Sequence, residues 1–195
     1  MKFNKELIYK IIDNKIDKII LFHLNEQELN TLYYAITLNH SLKELYLSDN
    51  QIKDITLLCK SLENSCLEKL DLSSNKIKDL TPLKFLSNSC LQELSLYNNK
   101  IEDITPLKFL SNPCLKYLDL SNNQIKDISP LTYLSNFCLK YLYLDNNQIN
   151  GITPLKFLTN ISYLRILDLS NNLLSYQIKQ KIKEFSKLKQ ISLII

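Results

Sequence analysis

Leucines recur along this chain in a fixed figure with polar residues between them. From Leu42 the chain reads LKELYLSDNQI, and from Leu67 LEKLDLSSNKI. It then reads LQELSLYNNKI from Leu91 and LKYLDLSNNQI from Leu115. Two more copies follow, LKYLYLDNNQI from Leu139 and LRILDLSNNLL from Leu164. The starts lie 25, 24, 24, 24 and 25 residues apart, and all six copies fit L-x-x-L-x-L-x-x-N-x-L/I. A fixed period of this length marks a stacked repeat architecture. Within each copy the leucines at the fourth and sixth places alternate with other residues. That is the period of a strand with one buried face. One strand per repeat, stacked in parallel about 4.8 Å apart, gives a solenoid. Degenerate copies open at Ile16 (IDKIILFHL) and Leu188 (LKQISLII).

The ninth place is always asparagine: Asn50, Asn75, Asn99, Asn123, Asn147 and Asn172. The chain turns inward there, where backbone groups lose water. An amide side chain carries donors and an acceptor, so it can bond its own turn and that of the next repeat. Loss of one such residue should cost about 1–3 kcal/mol. The return segments carry Thr81-Pro82, Thr105-Pro106, Ser129-Pro130 and Thr153-Pro154. These predict a hydroxyl N-cap with proline at the first position of a short helix. Leu83/Leu86, Leu107/Leu110, Leu131/Leu134 and Leu155/Leu158 would then point inward. Asp54, Asp79, Asp103 and Asp127 precede these helices and are placed to bond turn amides; Gly151 breaks the series. At the ends, residues 4–14 read as an amphipathic helix with Leu7, Ile8, Ile11 and Ile12 on one face. Asn25-Glu-Gln-Glu28 reads as a capping box for a second helix near 26–38. Ser175 would cap a helix presenting Ile178, Ile182 and Phe185, before the apolar ISLII.

These copies resemble the leucine-rich repeats. The continuation I-x-D-I-x-P-L-x-x-L resembles the subclass of the bacterial internalins and of the phosphatase-regulating leucine-rich repeat protein. The stretch Leu32–Leu42 is similar instead to the helix-to-strand join of the ribonuclease-inhibitor type. The middle repeats are two residues longer than the internalin-like unit, through insertions such as Ser89-Cys90. The resemblance implies an α/β fold: a right-handed solenoid with a parallel sheet on its concave face and short helices on its convex face. It also implies protein recognition rather than catalysis. The expected organisation is one solenoid domain. Residues 1–41 form a helical cap and degenerate first repeat, 42–174 the six repeats, and 175–195 a helix and terminal strand.

Composition narrows the function classes. Among 195 residues there are 40 Leu, 23 Ile and 21 Asn, against one Gly and two His. That excludes glycine-rich phosphate loops, and Leu plus Ile at nearly a third of the chain excludes intrinsic disorder. No run of 18 apolar residues occurs, so no membrane insertion is expected. Charged residues interrupt the N-terminal stretch, which lacks the pattern of a signal peptide. With five cysteines this points to a reducing, cytoplasmic setting. The net charge is +4, but the lysines are scattered. Lys43, Lys116 and Lys140 flank strands, Lys84, Lys108 and Lys156 lie on return helices, and one cluster spans 179–189. A continuous basic groove is missing, which disfavours nucleic acid. Binding of nucleic acid or an anionic surface through the Lys-rich C-terminal end stays open as an alternative.

Several sets look chemical. Cys66, Cys90, Cys114 and Cys138 recur every 24 residues. One thiol per repeat makes a row, not the tetrahedron zinc needs. Rungs about 5 Å apart lie within disulfide reach. The expected role is nevertheless that of a small apolar residue in a tight interior slot. Cys59 lies outside the row. His23 and His40 have no visible supporting base or oxyanion site, so no catalytic residue, metal or cofactor is assigned. Phe85, Phe109, Tyr133 and Phe157 recur on the return helices and should cover the edge of the core.

The strand positions that point away from the core carry the functional information, because no packing rule fixes them. The third places read Glu44, Lys69, Glu93, Tyr117, Tyr141 and Ile166. The fifth read Tyr46, Asp71, Ser95, Asp119, Tyr143 and Asp168, and the seventh Ser48, Ser73, Tyr97, Ser121, Asp145 and Ser170. Carboxylates outnumber the single Lys69, and Tyr97, Tyr117, Tyr141 and Tyr143 fall on three consecutive strands. Tyrosine gives large contact area at low entropy cost. The expected partner is another protein bearing basic and apolar groups, with no small-molecule substrate. The expected contact residues are Glu44, Tyr46, Asp71, Glu93, Tyr97, Tyr117, Asp119, Tyr141, Tyr143, Asp145 and Asp168. The apolar terminal strand would leave an open edge, so a homodimer through that edge is a second mode.

Overall fold

In the computed structural model each L-x-x-L-x-L run opens into a three-residue strand. The structure describes residues 2–87, 89–110, 114–134, 138–151 and 163–195, and every count or absence below concerns these. The strands are β1 (Lys18–Ile20), β2 (Glu44–Tyr46), β3 (Lys69–Asp71) and β4 (Glu93–Ser95). They continue as β5 (Tyr117–Asp119), β6 (Tyr141–Tyr143), β7 (Ile166–Asp168) and β8 (Ser192–Ile194). They form one parallel sheet in sequence order, the open solenoid expected of the repeats. The degenerate copies supply the outermost strands, β1 and β8, but the C-terminal copy starts two residues later than Leu188: Leu188 lies in the last helix, and Leu193 pairs with Leu167.

Register runs straight across the repeats. Leu45, Leu70, Leu94, Leu118, Leu142 and Leu167 pair in sequence, each 2% exposed or less. A strand shifted by one residue would turn this whole row to solvent, so the leucines themselves fix the register. Burying one leucine is worth about 1.5–3 kcal/mol. The repeat of that gain along the stack sustains strands too short to persist alone.

The asparagines seal the turns by reaching back to the preceding repeat, not forward to the next. Asn75 Oδ1 accepts the Asn50 and Ile52 N–H groups at 3.1 and 2.9 Å. Its Nδ2 donates to Leu47 O at 2.9 Å and to its own Leu72 O at 3.0 Å. Asn99, Asn123, Asn147 and Asn172 repeat the backward bond to Ile77, Ile101, Ile125 and Ile149 N–H, each at 3.0 Å. Asn50 bonds the Leu24 N–H at 2.7 Å, so the degenerate copy is tied in although Leu24 stands where it should have an asparagine.

The residue before each of these asparagines has positive φ: Asp49, Ser74, Asn98, Asn122, Asn146 and Asn171. This left-handed region costs most L residues about 1–2 kcal/mol, and asparagine and aspartate tolerate it best. The lone glycine, Gly151, is not used for it.

The return segments correct one expectation. Short helices do follow each turn: α3 (Thr56–Ser61), then 3₁₀ helices at Thr81–Leu86, Thr105–Phe109 and Ser129–Leu134. Their hydroxyl residues are not N-caps, because Thr81 and Thr105 lie inside the helix at its first position. The cap positions are Ile55, Leu80 and Ile104, which have no capping side chain, and the aspartate just before each bonds the first helical amide, as expected. Asp54, Asp79, Asp103 and Asp127 each accept the N–H of Thr56, Thr81, Thr105 or Ser129 at 2.7–2.8 Å. A short carboxylate closes this turn without rearranging the chain. Leu83, Leu86, Leu107, Leu110, Leu131 and Leu134 are buried beneath. Thr153, Pro154, Leu155, Lys156, Phe157 and Leu158 lie outside the described residues.

At the N-terminal end α1 (Lys5–Ile12) is capped by Asn4 and buries Leu7 and Ile11, with Ile8 and Ile12 partly buried. Helix α2 (Glu26–Thr37) carries the full Asn25/Glu28 capping box. At the other end Ser175 caps the helix Tyr176–Lys189, whose Ile182 is buried and whose Ile178 and Phe185 pack partly against the core. Leu188 of this helix and Ile194 of β8 are exposed.

Candidate protein-binding face

The outward positions form straight rows because the strands pair without offset. The third-place row begins at Lys18, which pairs with Glu44. Lys18 Nζ lies 2.7 Å from Glu44, and Lys69 lies 3.8 Å from Glu44 and 3.2 Å from Glu93. Alternating charges thus run across β1 to β4. Hydrogen bonding from Lys18 holds the Glu44 carboxyl below its usual range, and Glu93 holds the Lys69 ammonium above its own. The Lys18 ammonium also sits 4.9 Å from the Tyr46 ring centroid, and the Tyr46 hydroxyl donates to Glu44 at 3.1 Å. Glu44 and Glu93 therefore spend their charge within the sheet. Lys18 was not among the expected contact residues. The signal was present, since aligning IDKIILFHL on LKELYLSDN puts Lys18 in the third place.

The aspartates are held by neutral donors, with no lysine paired to them among the described residues. Asp71, Asp119 and Asp168 each accept the N–H two residues on, from Ser73, Ser121 and Ser170 at 2.8–2.9 Å. The Ser121 and Ser170 hydroxyls donate to the same oxygen of Asp119 and Asp168, so Asp71 and Asp168 are oriented through one oxygen, whereas the second oxygen of Asp119 also accepts a bond. Asp145 accepts from Asn146 Nδ2 at 2.6 Å.

Beside Asp119 the tyrosines meet. Tyr117 and Tyr143 have ring centroids 5.5 Å apart, and Tyr117 and Tyr141 6.4 Å, both tilted near 45°. These are favourable aromatic separations. The Tyr117 hydroxyl donates to Asp119 at 3.3 Å. Burial first, then Asp119, pushes the Tyr117 hydroxyl above its ordinary pKa, and burial does the same at Tyr143. Both hydroxyls therefore stay protonated donors at neutral pH. Tyr97 stands apart, 41% exposed, with no ring contact among the described residues. A hollow of about 210 Å³ adjoins the tyrosine cluster, lined by Tyr46, Lys69, Asp71, Glu93, Ser95 and Tyr117. It opens where the fifth-place row drops to the small Ser95.

Elsewhere the cysteine row departs from expectation. Cys66, Cys90 and Cys114 are exposed and Cys138 is half-buried, so they fill no interior slot. Their places lie just outside the strands, where the chain enters the sheet at the solvent edge. Cys59 is the buried one. Phe85 and Phe109 are half-buried, with lysine ammoniums 5.2–5.5 Å from their centroids; Tyr133 is exposed. His23 lies 3.3 Å from Asp49 on the exposed first turn. No described helix is long and apolar enough to cross a membrane.

A parallel stack of 24–25-residue units with a ladder of turn asparagines defines a leucine-rich repeat solenoid. The chain belongs to the leucine-rich repeat proteins. Leucine-rich repeat family models match residues 40–85, 65–125, 138–159 and 163–188. Among solved structures it is similar to an internalin of Listeria monocytogenes, at 28% identity and a TM-score of 0.71. That match covers 93% of this chain and 54% of the internalin, so this chain spans about half of that protein's length. Internalin C2 of Listeria monocytogenes is similar at 28% identity and a TM-score of 0.66, over 86% of this chain and 76% of its own. A leucine-rich repeat protein of Leptospira interrogans shares the fold, at 21% identity and a TM-score of 0.68, over 98% of this chain and 57% of its own. No curated protein sequence matches the chain. Leucine-rich repeat proteins generally mediate protein–protein interactions.

Proposed function

We propose that this chain is a non-enzymatic recognition module that grips a protein partner on its sheet face. The contact centre is Tyr117, Tyr141, Tyr143 and Asp119, in an internalin-like member of the family. The observation that carries this reading is the tyrosine cluster, in which the Tyr117 ring meets both Tyr141 and Tyr143 beside an oriented carboxylate. Such a cluster offers apolar area held rigid before binding, which lowers the ordering cost. The partner's matching patch is apolar with basic groups. Those groups address Asp119, Asp145 and Asp168, since Glu44 and Glu93 are already paired to lysines.

Crosslinking in cell extract followed by mass spectrometry identifies the partner. Affinity for it should then fall at least tenfold, ~1.4 kcal/mol, in the Tyr141→Ala/Tyr143→Ala variant, with the circular dichroism spectrum unchanged. Unchanged affinity for a verified partner rejects the assignment of this face.

A further inference from the structure

The exposed Cys66, Cys90 and Cys114 and the half-buried Cys138 keep strict register. Each stands three residues before a third-place residue, and those residues pair directly: Lys69 with Glu93, Glu93 with Tyr117, Tyr117 with Tyr141. The pairing continues upstream toward the cysteines. Gln92 N–H donates to Glu68 O at 2.7 Å, Lys116 to Gln92 O at 2.8 Å, and Lys140 to Lys116 O at 2.8 Å. The backbone is thus held in register to within two residues of each thiol. Neighbouring parallel strands lie about 4.8 Å apart. Disulfides need Cα separations of about 4.4–6.8 Å. Adjacent rungs meet that requirement, whereas the next rung but one, at about twice the strand spacing, does not. Lys43, ion-paired to Glu68 at 3.1 Å, is near enough to interact electrostatically with both Cys66 and Cys90.

We propose that this row is an oxidisable thiol ladder, in which neighbouring cysteines close disulfides from one repeat to the next, Cys66 with Cys90 first. The oxidant is a low-molecular-weight disulfide. The thiolate of Cys66 attacks one sulfur of that disulfide, forms a mixed disulfide and expels one thiolate. The thiolate of Cys90 then attacks the Cys66 sulfur and expels the second. Two protein thiols are oxidised, one small disulfide is reduced to two thiols, and the protons pass to the departing thiolates. Cys59 is the internal control. It is buried in α3, and burial, with Asp54 adding to it, pushes its thiol up to about 12.

Trypsin cleavage puts every cysteine in its own peptide: 54–60, 61–69, 85–100, 109–116 and 127–140. The full chain is incubated with oxidised glutathione at low protein concentration, alkylated, separated as monomer and digested. The expected product joins peptides of adjacent repeats, 61–69 with 85–100 above all, two hydrogens lighter than their sum, with 54–60 unjoined. Cys90→Ser changes an exposed residue and leaves Cys66 without a partner in reach. Glutathione should then persist on Cys66 while the Cys114 and Cys138 peptides still join. The proposal is overturned if glutathione persists on Cys66 and Cys90 of the unaltered chain. It is equally overturned if joined peptides occur only between molecules, or between non-adjacent repeats.

Discussion

Asn123→Ala is expected to lower the unfolding free energy by about 3 kcal/mol, while Asn122→Ala, one residue away, costs about 1 kcal/mol. The side chains are alike and their tasks are not. Asn123 is 8% exposed; it accepts the Ile101 N–H at 3.0 Å and donates to Leu96 O and Leu120 O, both at 3.0 Å. Alanine leaves the buried Ile101 N–H without its acceptor and cuts the link from Leu96 O to Leu120 O, although each carbonyl keeps one amide donor, from Asn99 and Asn147. Asn122 is exposed and contributes chiefly its tolerance of φ 53–55°, the range shared with Asn98 and Asn146. Glycine adopts that conformation freely, so Asn122→Gly should stay within ~1 kcal/mol of the unaltered chain despite losing its 2.8 Å bond to Asn98. Urea denaturation of the three variants checks the order. Equal losses for the two alanine variants would sink the division of labour.

The doublet also shows how much of this fold can be read from sequence. The buried asparagine was visible because it never varies across six copies. Its neighbour was not, because Asp, Ser and Asn all stand at that place and only the backbone dihedral unites them. The strand rows were legible for the same reason as the ladder: period and register are properties of the leucines. The hydroxyl N-caps were misassigned because threonine before proline suits the N-cap and the first helical position alike, whereas the aspartates do bond the turn amides. Sequence alone does not decide which residue begins the helix. The cysteines were misplaced because a small, weakly polar residue beside a leucine suits either side of the chain's entry into the sheet. On the binding face the residue types were readable, but the charge balance was not. Lys18 sits in a copy too degenerate to join the rows without coordinates, and it draws Glu44 out of the acidic surplus. Tyr97 was grouped with the other tyrosines by strand order, yet the ring contacts join only Tyr117, Tyr141 and Tyr143.

Leu118→Ala is expected to cost about 2–5 kcal/mol, the range for emptying a well-packed leucine site. Its side chain is fully buried and pairs with Leu94 on one side and Leu142 on the other. In a solenoid each repeat touches only its neighbours, so this one cavity weakens two interfaces of the stack. Leu193 is the comparison. It has the same place in β8 but one neighbouring strand, β7, and is only partly buried. Leu193→Ala should therefore cost less than half as much. The central loss also bears on recognition, because Leu118 lies between Tyr117 and Asp119 and sets the height of both on the sheet. If the face acts as proposed, Leu118→Ala weakens partner binding without removing any contact atom, and Leu193→Ala leaves it unchanged. Hydrogen exchange locates the cause: the amides of β4 to β6 should lose protection in Leu118→Ala while those of β1 keep theirs. Uniform loss along the whole sheet would mean that the stack opens as one unit, and the nearest-neighbour account of its stability would fail.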